Sequence, residues 1–353
     1  MVWRSVWRSV WKSVLVLGLV GALAGAAHAG EAVLPAGEQP PLEMEIVEFG
    51  PVPVAFTAHT GSFEKIGEAI PALLRELGEQ RIVPSGPVMG IFYDDPKSVP
   101  EEKLRWEVAI EVPEAAVPNK PLKARVIPKC TVARAEYKGP AQETGAVYQA
   151  LVREAFTRGY VPVGPAIELF GRAPEDGVIE CTAMCVVRKA PPLEVAIAAF
   201  GPETVVYAEH TGSFEKIPGA IAAFTEALDG QGIKPDGALM VIFHDDPAAT
   251  PEGELRWEIA VPVPAELDVA EPLKLRTMAK CTVARAVYKG PAEELSVAYL
   301  ALLAQAARRE YVPVGPAIGI FGEAPKDGEI ECTIMFVVRR LNRIHNIERM
   351  RED

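Results

Sequence analysis

His59-Thr-Gly-Ser-Phe-Glu-Lys-Ile66 and His210-Thr-Gly-Ser-Phe-Glu-Lys-Ile217 are the same eight residues, 151 positions apart. The same spacing relates Asp94-Asp95-Pro96 to Asp245-Asp246-Pro247 and Arg105-Trp106-Glu107 to Arg256-Trp257-Glu258. It also relates Lys129-Cys-Thr-Val-Ala-Arg134 to Lys280-Cys-Thr-Val-Ala-Arg285, and Tyr160-Val-Pro-Val-Gly-Pro-Ala-Ile167 to Tyr311-Val-Pro-Val-Gly-Pro-Ala-Ile318. Solenoid repeats run at about 20–50 residues, so a period this long means two duplicated domains. These are expected at 43–190 and 193–340, joined by Lys189-Ala-Pro-Pro-Leu193, with residues 341–353 a charged tail. Just past the last matched block the copies part, with Glu168 in the first and Gly319 in the second.

Each copy divides again. Gly61, its helix and Gly86-Pro87 align with Gly139, its helix and Gly164-Pro165 at a shift of 78. In the first half, residues 52–60 read as a strand. Phe63, Ile66, Ile70, Leu73, Leu74 and Leu77 then recur at helical spacing, with Pro71 expected to kink the helix or mark its early turns. Residues 88–93 and 104–112 read as two further strands around the Asp94-Asp95-Pro96 loop. The second half repeats the order with strands at 126–137, 166–170 and 178–187 and a helix at 141–156. The expected fold class is α+β. Each domain is a pseudo-twofold pair of strand-helix-strand-strand units, with antiparallel sheet and both helices on one side. The sheets are expected to form a concave surface with the helices behind it.

Apolar residues make up 49% and charged residues 24% of the 353, a globular balance. Residues 1–29 have the form of a secretory signal peptide: Arg4, Arg8 and Lys12, an apolar run, then Ala27-His28-Ala29 before Gly30. An uncleaved anchor is the alternative reading. Cleavage there removes three cations from a chain of net charge −12, leaving −15. Such a chain repels phosphate backbones, which argues against a nucleic-acid partner. A periplasmic or secreted product, off the membrane after cleavage, is expected. In that compartment the matched cysteines suggest Cys130–Cys181 and Cys281–Cys332 bridges with Cys185 free. The same cysteines read equally well as small buried strand residues. No spacing of His and Cys suits a metal, and no phosphate loop or nucleophile elbow occurs. No cofactor is expected.

The strand ending in His59-Thr-Gly61, the amphipathic helix, Gly90-Ile-Phe-Tyr-Asp-Asp-Pro96 and Leu104-Arg-Trp-Glu-Val-Ala-Ile110 together resemble the GyrI-like domain. That family includes the effector-binding domains of AraC-type and multidrug-sensing regulators. The resemblance covers 43–189 and 193–340. It implies a cleft for small molecules, often lipophilic cations, with a glutamate at its centre. Glu168 matches that glutamate and Gly319 departs from it, which implies the stronger site in domain 1. The chain lacks the helix-turn-helix of regulatory members, so no DNA-binding output is expected.

Glu168 shares a strand face with Ala166 and Phe170. It reads as a counter-ion for a bound cation or a general base. The alternative is a solvated carboxylate, or one satisfied by Arg134. Phe92 and Phe170 offer an aromatic wall, or core packing. Trp106 lines the cleft or packs under a helix, and Tyr137 borders the opening or packs its turn. These five residues form the candidate ligand site. A non-enzymatic binding protein for small apolar or cationic molecules is the favoured reading. A hydrolase of reactive small molecules, with Glu168 activating water, is second. A protein-interaction module with an unknown partner is third.

Overall fold

A computed structural model describes residues 43–96, 99–171, 178–247, 250–264, 266–322 and 328–341. The expected signal peptide and most of the charged tail lie outside these residues. The described residues fall into two compact units, 43–189 and 190–341.

In the first unit the strands are β1 (Met44–Phe49), β2 (Val52–Thr60), β3 (Val88–Phe92) and β4 (Arg105–Glu111). They continue with β5 (Lys123–Ile127), β6 (Cys130–Pro140), β7 (Tyr160–Phe170) and β8 (Val178–Lys189). Helix α1 (Ile66–Glu79) follows β2, and α2 (Thr144–Thr157) follows β6. One eight-stranded sheet runs β1-β6-β8-β7-β3-β4-β2-β5, with every pairing antiparallel. The strand-helix-strand-strand halves are therefore present, and the two meet at the β3–β7 seam.

Two strands were not anticipated. β1 precedes the first half but pairs with β6 of the second, while β5 precedes the second half but pairs with β2 of the first. Each half thus lends its edge strand to the other. The single strand expected at 126–137 is a correction of the same kind. β5 stops at Ile127 and β6 starts at Cys130, because Pro128 has no N–H to give the ladder.

The sheet's two faces are packed differently. On one, Ala69, Leu73 and Leu77 of α1 bury against Ala55, Trp106, Val108 and Ile110, and each fully buried leucine contributes about 1.5–3 kcal/mol. Pro71 sits within α1 without ending it. The helix closes with Arg81 in the left-handed region (φ 58°) and the Ile82 amide on the Leu77 carbonyl at 2.9 Å. α2 lies on the same face, burying Leu151, Val152, Ala155 and Phe156 and donating from the Tyr148 hydroxyl to the Ile167 carbonyl of β7 at 2.9 Å. The opposite face carries no helix. Even so, Val54, Phe56, Met89, Ile91, Val132, Ile167 and Met184 are buried together there, so the sheet curls around them.

The second unit repeats this arrangement with β9 (Ala196–Phe200), β10 (Glu203–Thr211), β11 (Leu239–Phe243) and β12 (Arg256–Pro262). Then come β13 (Lys274–Met278), β14 (Cys281–Pro291), β15 (Tyr311–Phe321) and β16 (Glu329–Arg340), with helices α3 (Ile217–Gly230) and α4 (Leu295–Arg308). Its sheet order, β13-β10-β12-β11-β15-β16-β14-β9, is the first read in reverse.

All five cysteines are free, which overturns the expected bridges. Cys181 pairs in register with Tyr137, seven residues along β6 from Cys130. Cys130 packs with the helix-free cluster, whereas Cys181 faces the helices. Seven residues of strand span about 23 Å, several times the reach of a disulfide. Cys281 and Cys332 stand in the same relation, with Cys332 opposite Tyr288.

Candidate functional site: a carboxylate between two helices

Glu168 sits on β7 at the seam, with Gly90 of β3 on one side and Ala183 of β8 on the other. Directly paired residues of antiparallel strands share a face, and Val88 and Phe92 pack with the α1 cluster. Glu168 therefore belongs to the helix-bearing face. The site is a slot between α1 and α2, not a bare concave surface with helices behind it.

Two irregularities shape this slot. Between Pro162 and Ala166, β7 carries two residues more than β8, a bulge just ahead of Glu168. On β3, a Cβ at Gly90 would stand 2.8 Å from the Phe92 ring and 3.2 Å from Ile66. Having no side chain there lets the Phe92 ring fold back over Gly90, where it meets Phe63 edge-on with centroids 4.9 Å apart.

Three glutamates are buried on the sheets, and the contrast among them is informative. Glu107, 7% exposed, accepts two bonds from the Arg125 guanidinium (Nη1 at 2.8 Å) and one from the Tyr93 hydroxyl at 3.0 Å. Glu258 is held the same way by Arg276 and by His244 at 2.9 Å. Glu168, 6% exposed, has no such cation among the described residues. Its nearest polar neighbour is the thiol of Cys181, on the adjoining strand of the same face. Arg134 is engaged elsewhere, with Glu136 at 3.1 Å. Burial pushes the Glu168 carboxyl above its ordinary value, and the thiol bond offsets part of that shift. Burial and the neighbouring carboxylate raise the Cys181 thiol strongly.

Tyr137, Tyr148, Cys181 and Cys185 gather around Glu168, while Phe170, two residues along β7, and Phe92, two residues along β3 from Gly90, are on the same sheet face. Tyr137 is at the rim, its hydroxyl closing the turn by donating to the Pro140 carbonyl at 2.8 Å. Trp106 is a correction. It is 1% exposed under α1, stacked on His59 at 4.4 Å, and its Nε1 donates to the Gly61 carbonyl at 3.0 Å. It is a core residue and no part of the slot.

In the second unit the corresponding space is filled. Gly90 and Glu168 become Val241 and Gly319, still paired across the seam. A Cβ at Gly319 would lie 2.8 Å from the Phe321 ring and 2.9 Å from the Tyr299 hydroxyl, so those side chains occupy the carboxylate's place. Phe336 replaces Cys185 and packs edge-on against Tyr299 at 5.6 Å. Phe321 and Tyr299 join one buried cluster running from α3 to α4. Tyr299 is left without a hydrogen-bond partner. The exchanges at 90/241 and 185/336 are visible at the 151-residue offset, and they mark the slot as surely as Glu168 does.

Residues 42–181 and 193–339 each match the family model described as the GyrI-like small molecule binding domain. Among solved structures, the crystal structure of the EcmrR C-terminal domain is similar with a TM-score of 0.38 and 16% identity, over 42% of this chain and 99% of that one. A cryo-EM structure of an EcmrR–DNA complex gives a TM-score of 0.40 and 14% identity, over 49% of this chain and 65% of that one. A crystal structure of a hydrolase from Listeria innocua gives 0.33 and 9%, over 43% and 94%. No curated protein matches the chain.

Proposed function

Because the chain belongs to the GyrI-like family as two tandem small-molecule-binding domains, we propose that it is an exported capture protein for lipophilic cations. The ligand enters the α1–α2 slot of domain 1. One observation carries this reading: Glu168 is a buried carboxylate with no basic partner among the described residues, on a sheet face it shares with Phe92 and Phe170. A buried anion without a counter-charge is unfavourable, and a cation entering the slot supplies that charge while its apolar body covers the rings. Domain 2 has neither the carboxylate nor the room, and serves as a folded companion.

The test compares benzyltrimethylammonium with neopentylbenzene, its uncharged isostere, by calorimetric titration. The ammonium is expected to bind once per chain and at least tenfold more tightly, with the preference lost in Glu168→Gln. Equal affinity for the two compounds, or binding unaffected by the substitution, refutes the assignment. N-terminal sequencing of protein recovered from outside the cytoplasm tests export, the expected first residue being Gly30.

A further inference from the structure

At one sheet edge of domain 2, three carboxylates present in domain 1 are gone while the cations they held remain. In domain 1 the edge strand β1 carries Glu45 and Glu48. Glu48 pairs with Lys129 at 2.7 Å, and Arg134 lies between Glu45 at 3.9 Å and Glu136 at 3.1 Å. At the 151-residue offset these acids become Ala196, Ala199 and Val287, whereas the cations are kept as Lys280 and Arg285. Arg285 is directly opposite Ala196 in the β14–β9 ladder, where Arg134 is opposite Glu45. Among the described residues Lys280 and Arg285 are in no ion pair, and both are exposed. At the other edge of the same sheet the cations of β13 are paired, Lys274 with Glu209 at 2.7 Å and Arg276 with Glu258.

β9 itself, Ala196-Ile-Ala-Ala-Phe200, is an outermost strand with β14 on one side and no strand on the other. An edge strand presents a row of unpaired N–H and C=O groups, and charged side chains are a common guard against a further strand. β1 has that guard and β9 has lost it. We propose that the β9 edge docks an extended acidic segment of a partner protein, which adds to the eight-stranded sheet as one more strand. Main-chain hydrogen bonds supply the attachment and side chains the selection. Strands lie about 4.8 Å apart, so the added strand is about 10 Å from β14. A carboxylate on it meets Arg285 or Lys280 by reaching across Ala196 or Ala199, whose short side chains leave the way clear. These alanines are three positions apart and so face opposite sides of the sheet. The segment that fits has two acids at the same spacing with apolar residues between, the pattern of Glu45-Ile-Val-Glu48 in β1. A second copy of β9 fits less well, because it adds cations to cations and supplies no carboxylate. The edge belongs to domain 2, so it operates whether or not the domain 1 slot takes a cation.

The test titrates the whole protein into a fluorescently labelled peptide with the sequence Met44–Phe49, capped at both ends, and follows anisotropy. A control peptide has Gln at both Glu positions. The acidic peptide is expected to bind at least tenfold more tightly, and raising salt from about 0.05 to about 0.5 M should remove most of that preference. Lys280 and Arg285 are exposed, so Lys280→Gln with Arg285→Gln leaves the core untouched and should abolish the preference. Ala196→Glu with Ala199→Glu, also at exposed positions, restores the acids of domain 1 and should abolish binding of either peptide. Amide hydrogen exchange should slow in β9 and not in β1 when the acidic peptide is bound. Equal binding of the two peptides, no binding, a preference retained in either variant, or protection away from β9 each overturns the proposal. Self-association of the protein, seen by sedimentation and lost in Ala196→Glu with Ala199→Glu, assigns the edge to a second copy and overturns it as well.

Discussion

Replacing Glu168 by Gln should stabilise domain 1 and weaken its ligand binding at the same time. The carboxylate is almost wholly buried, and its only described partner is a thiol. Its pKa is raised on folding, so the folded state favours the protonated form. The associated stability is full below the ordinary value of 4.5 and is lost as pH rises through the raised folded value. Gln is never ionised and still accepts from Cys181, so it escapes this loss. An under-satisfied buried polar group costs about 1–3 kcal/mol, so the variant should gain on the order of that amount at pH 8 and nothing at pH 4. For a domain of this size the melting point should rise by roughly 3–8 °C. Scanning calorimetry at the two pH values measures it, with the domain 2 transition as the internal standard. A variant less stable than wild type at pH 8, or one whose gain persists at pH 4, would show that the carboxylate is well compensated and the argument from its isolation is wrong.

Gly319→Glu should not transfer the site to domain 2, because its Cβ meets Phe321 and Tyr299 at under 3 Å. It should cost about 1–3 kcal/mol by overpacking, read by urea unfolding, and bind no ammonium. Arg125→Ala leaves Glu107 buried with only Tyr93 as partner. A loss of about 3 kcal/mol is expected, and adding Glu107→Gln should recover much of it in a double-mutant cycle. Thr57 bonds the His59 ring at 2.8 Å, whereas Ala208 leaves the His210 Nε2 unpartnered. Ala208→Thr should therefore add about 1 kcal/mol to the stability of domain 2, measured by the same unfolding curves.

Much of the fold was legible because it is written twice, and a constant offset aligns the copies without ambiguity. The helices and central strands followed from periodicity. β1 and β5 did not, since Met44–Phe49 and Lys123–Ile127 are short and flanked by prolines. Their partners are set by a swap that local pattern does not encode. Glu168 stood out as a charge lost between copies. Spacing leaves Cys181 open between a bridge and a small buried strand residue because it says nothing of register, and register puts Cys130 and Cys181 on opposite faces. Trp106 alternates with Glu107 and so had to choose a face, but which face bears the helix is settled only by tertiary packing.

The exchanged edge strands also dictate an order of assembly. Met44 of β1 is sealed against Ala135, 91 positions later, so the opening strand has no edge to join until β6 exists. A chain ending before β6 would hold its first strand unmatched, an open invitation to pair with a neighbour. In the finished domain the exchange works the other way. A backbone cut between β4 and β5 leaves β1 on one fragment clasped by β6 of the other, while β5 clasps β2 in return. The two pieces are interlocked as a reciprocal handshake, and separating them requires both clasps and the β3–β7 seam to open.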